Sequence, residues 1–438
     1  MCERCLSVLD PIAYSIRLDF LSPSRLALHS WPRILIIIDR GSGLCYILCL
    51  YKSSLRRSSL TTSRKELRYS YGFDEVALVP GEVTVNPDQV NTEFSIGGLS
   101  FSIPLLAAAM DGVVSPEFAV AFGKAGGLAV LNLEGIYTRY ENPNEVLREI
   151  VGASPDDVTT LLQQVYSQPI KENFVGDRIQ FIKQAGGTCA VSVTPANTKR
   201  LAPLIMEAGA DVLVIQSTVT TARHTSSSPT GLDFADLCDT MPISVVVGNC
   251  ASYAAARELI ETGIDGLLVG VGPGAACTTR EVLGIGVPQV TATLDCAAAR
   301  DECFRETGRY VSLITDGGIR SGGEISKAIA SGADAVMLGA ALARSEETPA
   351  GGYHWGMANP HASLPRGTRI KVGISAPLDQ ILFGPTAVTD GSQNLVGALR
   401  TAMGACGASD IKEMHKVEMV IAPSIKTEGK SWQLSCSQ

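Results

Sequence analysis

The chain has 438 residues, of which 45% are hydrophobic and 18% are charged, so it can fill a large core and is neither disordered nor collagen-like. Its 12 cysteines form no regular framework, which excludes a disulfide scaffold and is typical of a reducing compartment. The formal charge of −8 argues against nucleic acid as a partner, because proteins that bind nucleic acid usually carry a basic face.

Residues 1–65 differ from the rest of the chain in charge. They hold ten Lys or Arg and four Asp or Glu, a formal charge of +6, which leaves −14 for the remainder. Their two apolar stretches, Ile34 to Ile38 and Leu44 to Leu50, are too short to span a bilayer, so we expect no membrane attachment. A transit peptide, translated upstream sequence and a disordered tail remain alternatives for this basic extension. We expect a cytoplasmic protein, or an organellar one if the extension is a transit peptide.

From residue 100 onward, short aliphatic runs alternate with stretches of helical periodicity, which is the pattern of repeated βα units. An Ala-Gly-Ala-Asp step or a close variant precedes three of the runs and predicts a left-handed glycine at each helix end. The pattern predicts an α/β fold, a (β/α)8 TIM barrel over residues 66–425, followed by a polar tail over residues 426–438. The eight runs are Leu105–Ala109, Leu128–Leu131, Cys189–Val193, Val212–Ile215, Ile243–Val247, Gly266–Val269, Val311–Ile314 and Ala335–Leu338.

A doubly wound open sheet is the competing architecture. It would usually carry a Gly-x-Gly-x-x-Gly motif directly after its first strand. The nearest match, Gly270-Val271-Gly272-Pro273-Gly274, follows the sixth run and contains a proline. The barrel is therefore the better prediction.

The loop after the sixth run is the first candidate for catalysis, because barrel enzymes take their catalytic groups from the C-terminal ends of strands. It runs from Gly270 through Cys277 to Arg280 and contains three glycines that let the backbone approach a ligand closely. A cysteine in such a loop, near Arg280, can have its thiolate favoured. We infer that Cys277 is a nucleophile, with an inert, packed cysteine as the alternative.

The loops after the seventh and eighth runs are candidates for binding phosphate. They contain Asp316-Gly317-Gly318 and Gly339, and in barrels these loops with a helix N-terminus form the usual anion site. Asp316 has the two carboxylate oxygens that suit a pair of ribose hydroxyls. The alternative for Asp316-Gly317-Gly318 is a tight turn without a ligand.

The motifs between Tyr71 and Met419 resemble those of the IMP dehydrogenase/GMP reductase family. The resemblance implies that a cysteine attacks C2 of the purine of a nucleoside monophosphate, and that NAD or NADP exchanges hydride with the resulting thioimidate. The motifs are Ala108-Ala109-Met110-Asp111, Gly248-Asn249, the loop from Gly270 to Arg280, Gly286-Val287-Pro288-Gln289, Asp316-Gly317-Gly318-Ile319-Arg320, Glu346-Glu347-Thr348-Pro349 and Gly356-Met357-Ala358.

The resemblance also assigns roles to residues. Cys277 would be the nucleophile, with Thr279 and Glu347 as a pair that handles protons. The substrate, GMP or IMP, would be bound by Met110, Asp316, Gly318, Gly339, Ala340, Gly356, Met357 and Ala358. The cofactor would be bound by Gln216, Ser217, Asn249, Gly270 and Gly272. A potassium ion would lie near Gly272, Gly274 and Cys277, and the family's usual assembly, a homotetramer, is expected here.

Four positions depart from the family pattern. Alanine stands at 108, 275 and 340, where the family more often has serine or, at 340, serine or glycine. Gln216 stands where the family has an aspartate on the cofactor side. Each change removes a hydrogen bond, so the phosphate has to be bound by backbone donors or by groups that the motifs do not identify.

Two short connections bear on the reaction. The 46 residues from Glu134 to Ile179 are too few for the paired CBS module that many IMP dehydrogenases insert there. Met357 is followed almost directly by Leu364, whereas IMP dehydrogenases carry a flap there with an Arg-Tyr pair that activates water. The missing flap favours NADPH-dependent reduction of GMP to IMP and ammonia, which activates no water.

Two alternatives remain open at this point. In the first, the protein is an NAD-dependent IMP dehydrogenase that makes XMP for guanine nucleotide synthesis. Its base would then be Glu347 acting through Thr279, or else His354 or His361. In the second, the protein is a nucleotide-binding regulator without activity, although such a protein would not need the nucleophile Cys277.

Overall fold

Eight parallel strands close into a barrel in the computed structural model, in the same order as they follow in the chain. The structure describes residues 67–225, 231–356 and 369–422, together with the backbone of two strands nearer the N-terminus. This confirms the predicted (β/α)8 barrel. The barrel strands are β1 (Leu105–Ala107), β2 (Leu128–Asn132), β3 (Ala190–Val193), β4 (Val212–Gln216), β5 (Ser244–Cys250), β6 (Gly266–Val269), β7 (Ser312–Asp316) and β8 (Ala335–Leu338).

Helices connect the strands in the described part of the chain. β1 is followed by α1, β2 by α2 to α4, β3 by α5, β4 by α6, β5 by α7, β6 by α8 and α9, and β7 by α10, while α11 to α13 follow β8. They are α1 (Pro116–Lys124), α2 (Pro143–Gly152), α3 (Val158–Ser167), α4 (Glu172–Gln184), α5 (Pro195–Glu207), α6 (Phe234–Thr240), α7 (Tyr253–Glu261), α8 (Thr279–Leu283), α9 (Gln289–Thr307), α10 (Gly322–Ala330), α11 (Leu378–Phe383), α12 (Leu395–Ala405) and α13 (Ile411–Met414).

Short strand pairs lie outside the barrel. Val76–Leu78 pairs with Met419–Ile421, and Tyr353–His354 pairs with Ile370–Lys371, both antiparallel. The chain divides into two compact units, Met1–Arg68 and Tyr69–Gln438. In the first unit, Ile34–Ile38 pairs antiparallel with Cys45–Cys49, so the apolar stretches of the basic extension form strands. Among the described residues, no helix is both long and apolar enough to cross a membrane.

The barrel strands are buried on both faces, which explains their continuous aliphatic sequence. In β4, Val212 and Val214 belong to the core inside the barrel, whereas Leu213 and Ile215 belong to the core between the strands and the helices. The two cores follow from the alternation of side chains along a strand.

A hairpin of two short strands, Phe94–Ile96 and Leu99–Phe101, covers the N-terminal end of the barrel. Its two phenylalanine rings stack with their centroids 5.2 Å apart and join the core inside the barrel. The hydroxyl of Ser312, at the start of β7, donates a hydrogen bond of 2.5 Å to the carbonyl of Ser95. The barrel is therefore plugged at this end, and a ligand has to bind at the other one.

The predicted glycine caps are confirmed. Gly209, Gly263 and Gly332 adopt φ angles of 82°, 95° and 103°, each between the end of a helix and the start of the next strand. A residue with a side chain rarely adopts these angles, so the glycines allow each helix to stop and the next strand to begin at once.

Candidate active site

A cleft of about 1160 Å³ lies at the C-terminal ends of the strands. The loops after β4, β6, β7 and β8 all contribute to its walls. The structure therefore brings together most of the residues predicted to bind the substrate or the cofactor. Those that line the cleft are Met110, Gln216, Ser217, Asn249, Gly270, Gly272, Gly274, Cys277, Thr279, Asp316, Gly318, Gly339, Ala340 and Gly356.

Cys277 and Thr279 form a pair in the loop after β6. The thiol of Cys277 donates a hydrogen bond to the Thr279 hydroxyl over 3.1 Å, and its amide donates to the carbonyl of Gly274 over 3.0 Å. Thr279 is buried as the first residue of α8, whereas the Cys277 side chain is half-buried and lines the cleft. This arrangement places a nucleophile beside a hydroxyl that can relay its proton.

Arg280 stabilises the shape of this loop. Its guanidinium donates hydrogen bonds to the carbonyl of Val287 over 2.7 Å and to that of Val271 over 3.3 Å. These bonds tie the two ends of the loop together. The sequence suggested that Arg280 favours the thiolate of Cys277, but the structure uses its donors to hold the backbone.

Gln216, Asn249 and Asp316 form a hydrogen-bonded cluster at the ends of β4, β5 and β7. The side-chain amides of Gln216 and Asn249 both donate to Oδ2 of Asp316, over 3.0 Å and 2.8 Å. Gln216 also donates to Oδ1 of Asn249 over 3.0 Å. The second carboxylate oxygen of Asp316 takes no part in this cluster, and Asp316 lines the cleft. Burial raises the pKa of Asp316 from 3.8 to about 6, although both hydrogen bonds act in the opposite direction.

The loops after β7 and β8 present free backbone donors to the cleft. The amides of Gly318, Gly339 and Ala340 make no hydrogen bond to another described residue. Gly318 has a φ of 79°, which a residue with a side chain rarely adopts. A Cβ atom on Gly339 would lie 2.7 Å from the sulfur of Met110, so the flexible Met110 side chain would have to shift if this glycine were replaced. Such a set of amides suits an anion.

Comparison with known proteins identifies the family. A family model described as the IMP dehydrogenase/GMP reductase domain matches residues 70–358. The chain belongs to the IMP dehydrogenase/GMP reductase family. Like other members of this family it is an oxidoreductase, and the family uses NAD or NADP and binds purine nucleoside monophosphates.

Three relatives illustrate the similarity. An oxidoreductase of uncharacterised activity from Mycolicibacterium smegmatis is 40% identical over 363 residues, which cover 81% of this chain and 97% of that protein. The inosine-5'-monophosphate dehydrogenase of Cryptosporidium parvum is 30% identical, over 78% of this chain and 90% of its own. The crystal structure of an IMP dehydrogenase/GMP reductase-like protein from Corynebacterium glutamicum has a TM-score of 0.78 and 34% identity, over 83% of this chain and 96% of that one.

The connection from β2 to β3 contains helices and no regulatory module. Between Glu134 and Ile179 the structure describes every residue, and they form α2, α3 and the first part of α4. This family member therefore lacks a CBS module at that point, as its length predicted.

No hydrogen bond between the side chains of Glu347 and Thr279, the predicted pair, is present among the described residues. The Glu347 carboxylate accepts hydrogen bonds from the amide of Leu378 over 2.8 Å and from the hydroxyl of Ser345, and Glu347 is not among the residues that line the cleft. The structure thus uses Glu347 to join the segment after β8 to the start of α11. Two other predicted residues, Met357 and Ala358, lie outside the described residues, as does His361.

His354 was not among the predicted binding residues, although it lines the cleft. Its side chain is only 2% exposed, and neither ring nitrogen has a hydrogen-bond partner in the part of the chain that the structure describes. Burial lowers the pKa of His354 from 6.5 to about 4, so the ring is neutral at pH 7. The sequence named His354 only as an alternative base, and the family motif, which begins at Gly356, gave it no binding role.

A buried chain of hydrogen bonds holds the segment that carries His354 and Gly356. The indole of Trp355 donates to the hydroxyl of Tyr166 over 2.7 Å, and that hydroxyl donates to Oδ2 of Asp111 over 2.5 Å. Burial raises the pKa of Asp111 to about 6, and the hydrogen bond from Tyr166 is the largest opposing effect. Tyr166 belongs to α3, so the connection after β2 supports the cleft.

Proposed function

We propose that the protein oxidises IMP to xanthosine monophosphate (XMP), with NAD as hydride acceptor, through a covalent bond between Cys277 and C2 of the purine. The observation that carries this proposal is the hydrogen-bonded pair of Cys277 and Thr279 in a cleft that also presents Asp316 and the free amides of Gly318 and Gly339. The relative from Cryptosporidium parvum described above is an inosine-5'-monophosphate dehydrogenase. A further relative, from Methanocaldococcus jannaschii, is 27% identical to this chain and is also an inosine-5'-monophosphate dehydrogenase.

The chain's own residues account for most steps. The sulfur of Cys277 adds to C2 of IMP, the C2–N3 π bond breaks, and Thr279 relays the thiol proton toward N3. Departure of hydride from C2 leaves a thioimidate on Cys277. A water molecule then adds to C2 and loses a proton through the Thr279 hydroxyl, and the C–S bond breaks to release XMP. In the complete reaction, IMP and water give XMP, one hydride and one proton.

The cofactor side of the cleft fits a nicotinamide. Gln216, Ser217 and Asn249 provide polar groups, and Val219 and Leu283 provide partly exposed apolar surface on the same cleft. A nicotinamide cofactor bound there supplies the hydride acceptor. The proposed roles of these residues are to orient its ring and to keep water away from it.

Reduction of GMP to IMP and ammonia is the second candidate. It is favoured by the short segment between Gly356 and Arg369, which has 12 residues and no room for a long flap. Reduction would consume one GMP, one hydride and one proton to give IMP and ammonia, which takes up a second proton as ammonium, and it would need an acid for the leaving group. Glu347, whose Oε2 accepts hydrogen bonds from Ser345 and Leu378, is a candidate for this acid just as it is for the base of the IMP reaction, so it does not separate the two candidates.

The direction is tested with the purified full chain. IMP with NAD and GMP with NADPH are supplied in separate reactions, and the absorbance of reduced nicotinamide is followed. A rise with IMP and NAD is the expected result. A fall with GMP and NADPH would establish the second candidate, and a flat trace in both would indicate a binding protein without turnover.

Thr279→Val tests the relay. In the oxidation of IMP, the variant should retain a first burst of reduced nicotinamide and lose most of the later steady rate, because the water step depends on the hydroxyl. Thr278→Val at the neighbouring position is the matched control. Equal loss of burst and steady rate would contradict a role for Thr279 in the water step.

Two further expectations follow from the family and are proposals for this chain. Carbonyl groups near Gly272, Gly274 and Cys277 would hold a potassium ion, and the chain would form a homotetramer. Rates in potassium compared with sodium at equal ionic strength test the first. Light scattering coupled to gel filtration tests the second, and a mass equal to one chain would exclude the tetramer.

A further inference from the structure

A buried histidine without a partner lines the cleft on the side of β1 and β8. His354 lines the same cleft as Met110, Gly339 and Ala340, and its backbone packs against Gly112 in the segment after β1. Both ring nitrogens lack a hydrogen-bond partner among the described residues, and the side chain is almost fully buried. Protein structures rarely leave a buried polar group unsatisfied unless a ligand or water completes it. The position and the missing partners therefore indicate a ligand group.

The cleft also lacks a free positive charge in its described walls. Its lining includes two arginines, and the guanidinium of each is engaged elsewhere: Arg280 on backbone carbonyls, and Arg320 on the carboxylates of Glu324 and Asp74. The same lining includes the carboxylates of Asp74, Glu75 and Asp316. A phosphate with two negative charges would thus enter a cleft lined by three carboxylates, in which both arginine side chains already donate to other groups.

The sequence departures point to the same need. Alanines 108 and 275 replace serines of the family pattern, Ala340 replaces a serine or a glycine, and all three line this cleft. The free amides of Gly318, Gly339 and Ala340 remain as donors but carry no full charge. A charged donor would compensate for the lost hydroxyls, since hydrogen bonds from charged groups are the stronger ones.

We propose that His354 binds the phosphate of the nucleotide and takes up a proton when it does so, so that an imidazolium forms only in the occupied site. This inference rests on the proposed function, because it assumes that the cleft binds a nucleoside monophosphate. The imidazole accepts one proton from solvent at one ring nitrogen, and an N–H of the resulting cation donates to a phosphate oxygen.

The charged and titratable groups around His354 do not already supply this proton. The paired strand places Arg369 and Lys371 over the ring of Tyr353, at 4.9 Å and 5.5 Å from its centroid. On the segment after β1, the Asp111 carboxylate accepts hydrogen bonds from the amide of Ile136 and the hydroxyl of Tyr166. The Tyr166 hydroxyl in turn accepts a hydrogen bond from the indole of Trp355. The thiol of Cys277, which also lines the cleft, donates a hydrogen bond to the hydroxyl of Thr279.

The electrostatics of the site set the direction in which nucleotide affinity changes with pH. In the empty site burial keeps the pKa of His354 near 4, and no neighbouring charge raises it. A phosphate dianion in contact favours the protonated ring and raises that pKa. Above the pKa of the occupied site the proton is lost again, so nucleotide affinity falls as the pH rises through that value.

Calorimetric titration tests the proposal. The full chain is titrated with IMP, GMP and the phosphate-free nucleosides inosine and guanosine at pH 7.5, in two buffers that differ in ionisation enthalpy. The expected result is uptake of up to about one proton per nucleotide and none per nucleoside. His354→Ala should weaken nucleotide binding by about 10- to 100-fold, abolish the uptake and leave nucleoside binding unchanged.

His354→Gln separates charge from hydrogen bonding. It keeps a donor without a titrating proton, so it should bind the nucleotide with intermediate affinity and without proton uptake. The thermal midpoints of the variants are compared with that of the unaltered chain. Equal weakening of nucleotide and nucleoside, or no proton uptake by the unaltered chain, would overturn the inference. Failure of the unaltered chain to bind either nucleotide would overturn the proposed function and this inference together.

Discussion

Replacing Gln216 by glutamate tests the cluster around Asp316. The amide of Gln216 lies 3.0 Å from Oδ2 of Asp316, and the substitution Gln216→Glu exchanges this donor for a second carboxylate of nearly the same shape. Two carboxylates at this distance cannot both ionise freely, so they titrate as a coupled pair that retains a proton at higher pH.

The size of the expected pKa shift follows from Coulomb's law. At a separation of about 3 Å and an effective dielectric constant of about 20, two unit charges repel by roughly 5 kcal/mol, which is an upper limit of about four pKa units. Rotation of the new side chain toward water reduces this value. We therefore expect the acidic transition of nucleotide binding to move from about pH 6, set by Asp316, to about pH 7 or above.

The assay is the pH dependence of nucleotide affinity and of kcat/KM, from pH 5 to 9. On the proposal that Asp316 binds the ribose as a carboxylate, we expect affinity to be lost as the pH falls through the pKa of Asp316. Gln216→Leu is the control, because it removes the hydrogen bond without adding a charge and should shift the transition less. An unchanged acidic transition in Gln216→Glu would refute the proposed role of Asp316.

Three further substitutions have expected outcomes. Tyr166→Phe should lower the free energy of unfolding by about 1–3 kcal/mol at pH 8 and by less at pH 5, where Asp111 is protonated, as measured by urea denaturation. Gly339→Ala should weaken nucleotide binding at an unchanged thermal midpoint, and adding Met110→Ala should restore part of it by removing the clashing sulfur. Arg280→Met should reduce kcat more than the thermal midpoint, because it loosens the loop of the nucleophile.

A particular result would contradict each of these three predictions. Equal destabilisation of Tyr166→Phe at both pH values would show that its hydrogen bond does not depend on the charge of Asp111. Tight nucleotide binding by Gly339→Ala would show that no phosphate approaches this backbone. Full activity of Arg280→Met would show that the loop holds its shape without the guanidinium.

The barrel was predictable because its signals are local. Each strand is a short aliphatic run buried on both faces, and glycines such as Gly209 mark the change from helix to strand within a few residues. The Cys277 loop and the amides after β7 and β8 were predictable for a similar reason, since strand ends of a parallel barrel meet at one face.

The remaining features depend on contacts between distant residues. Gln216 and Asp316 are 100 positions apart, and no local pattern indicates that their side chains meet. Glu347 belongs to one of the family motifs, but its carboxylate accepts a hydrogen bond from the amide of Leu378, which lies 31 positions away in the sequence. His354 stands out only because packing buries it without a partner, which a sequence does not record.

The most direct test of the central claim is the turnover of Cys277→Ala with IMP and NAD. We predict that this variant binds the nucleotide and produces no reduced nicotinamide, while Cys238→Ala, a half-buried cysteine on α6, keeps full activity. In the unaltered chain, acid quenching during turnover should leave the nucleotide attached to the peptide that contains Cys277. Turnover of Cys277→Ala at the rate of the unaltered chain would contradict the covalent mechanism.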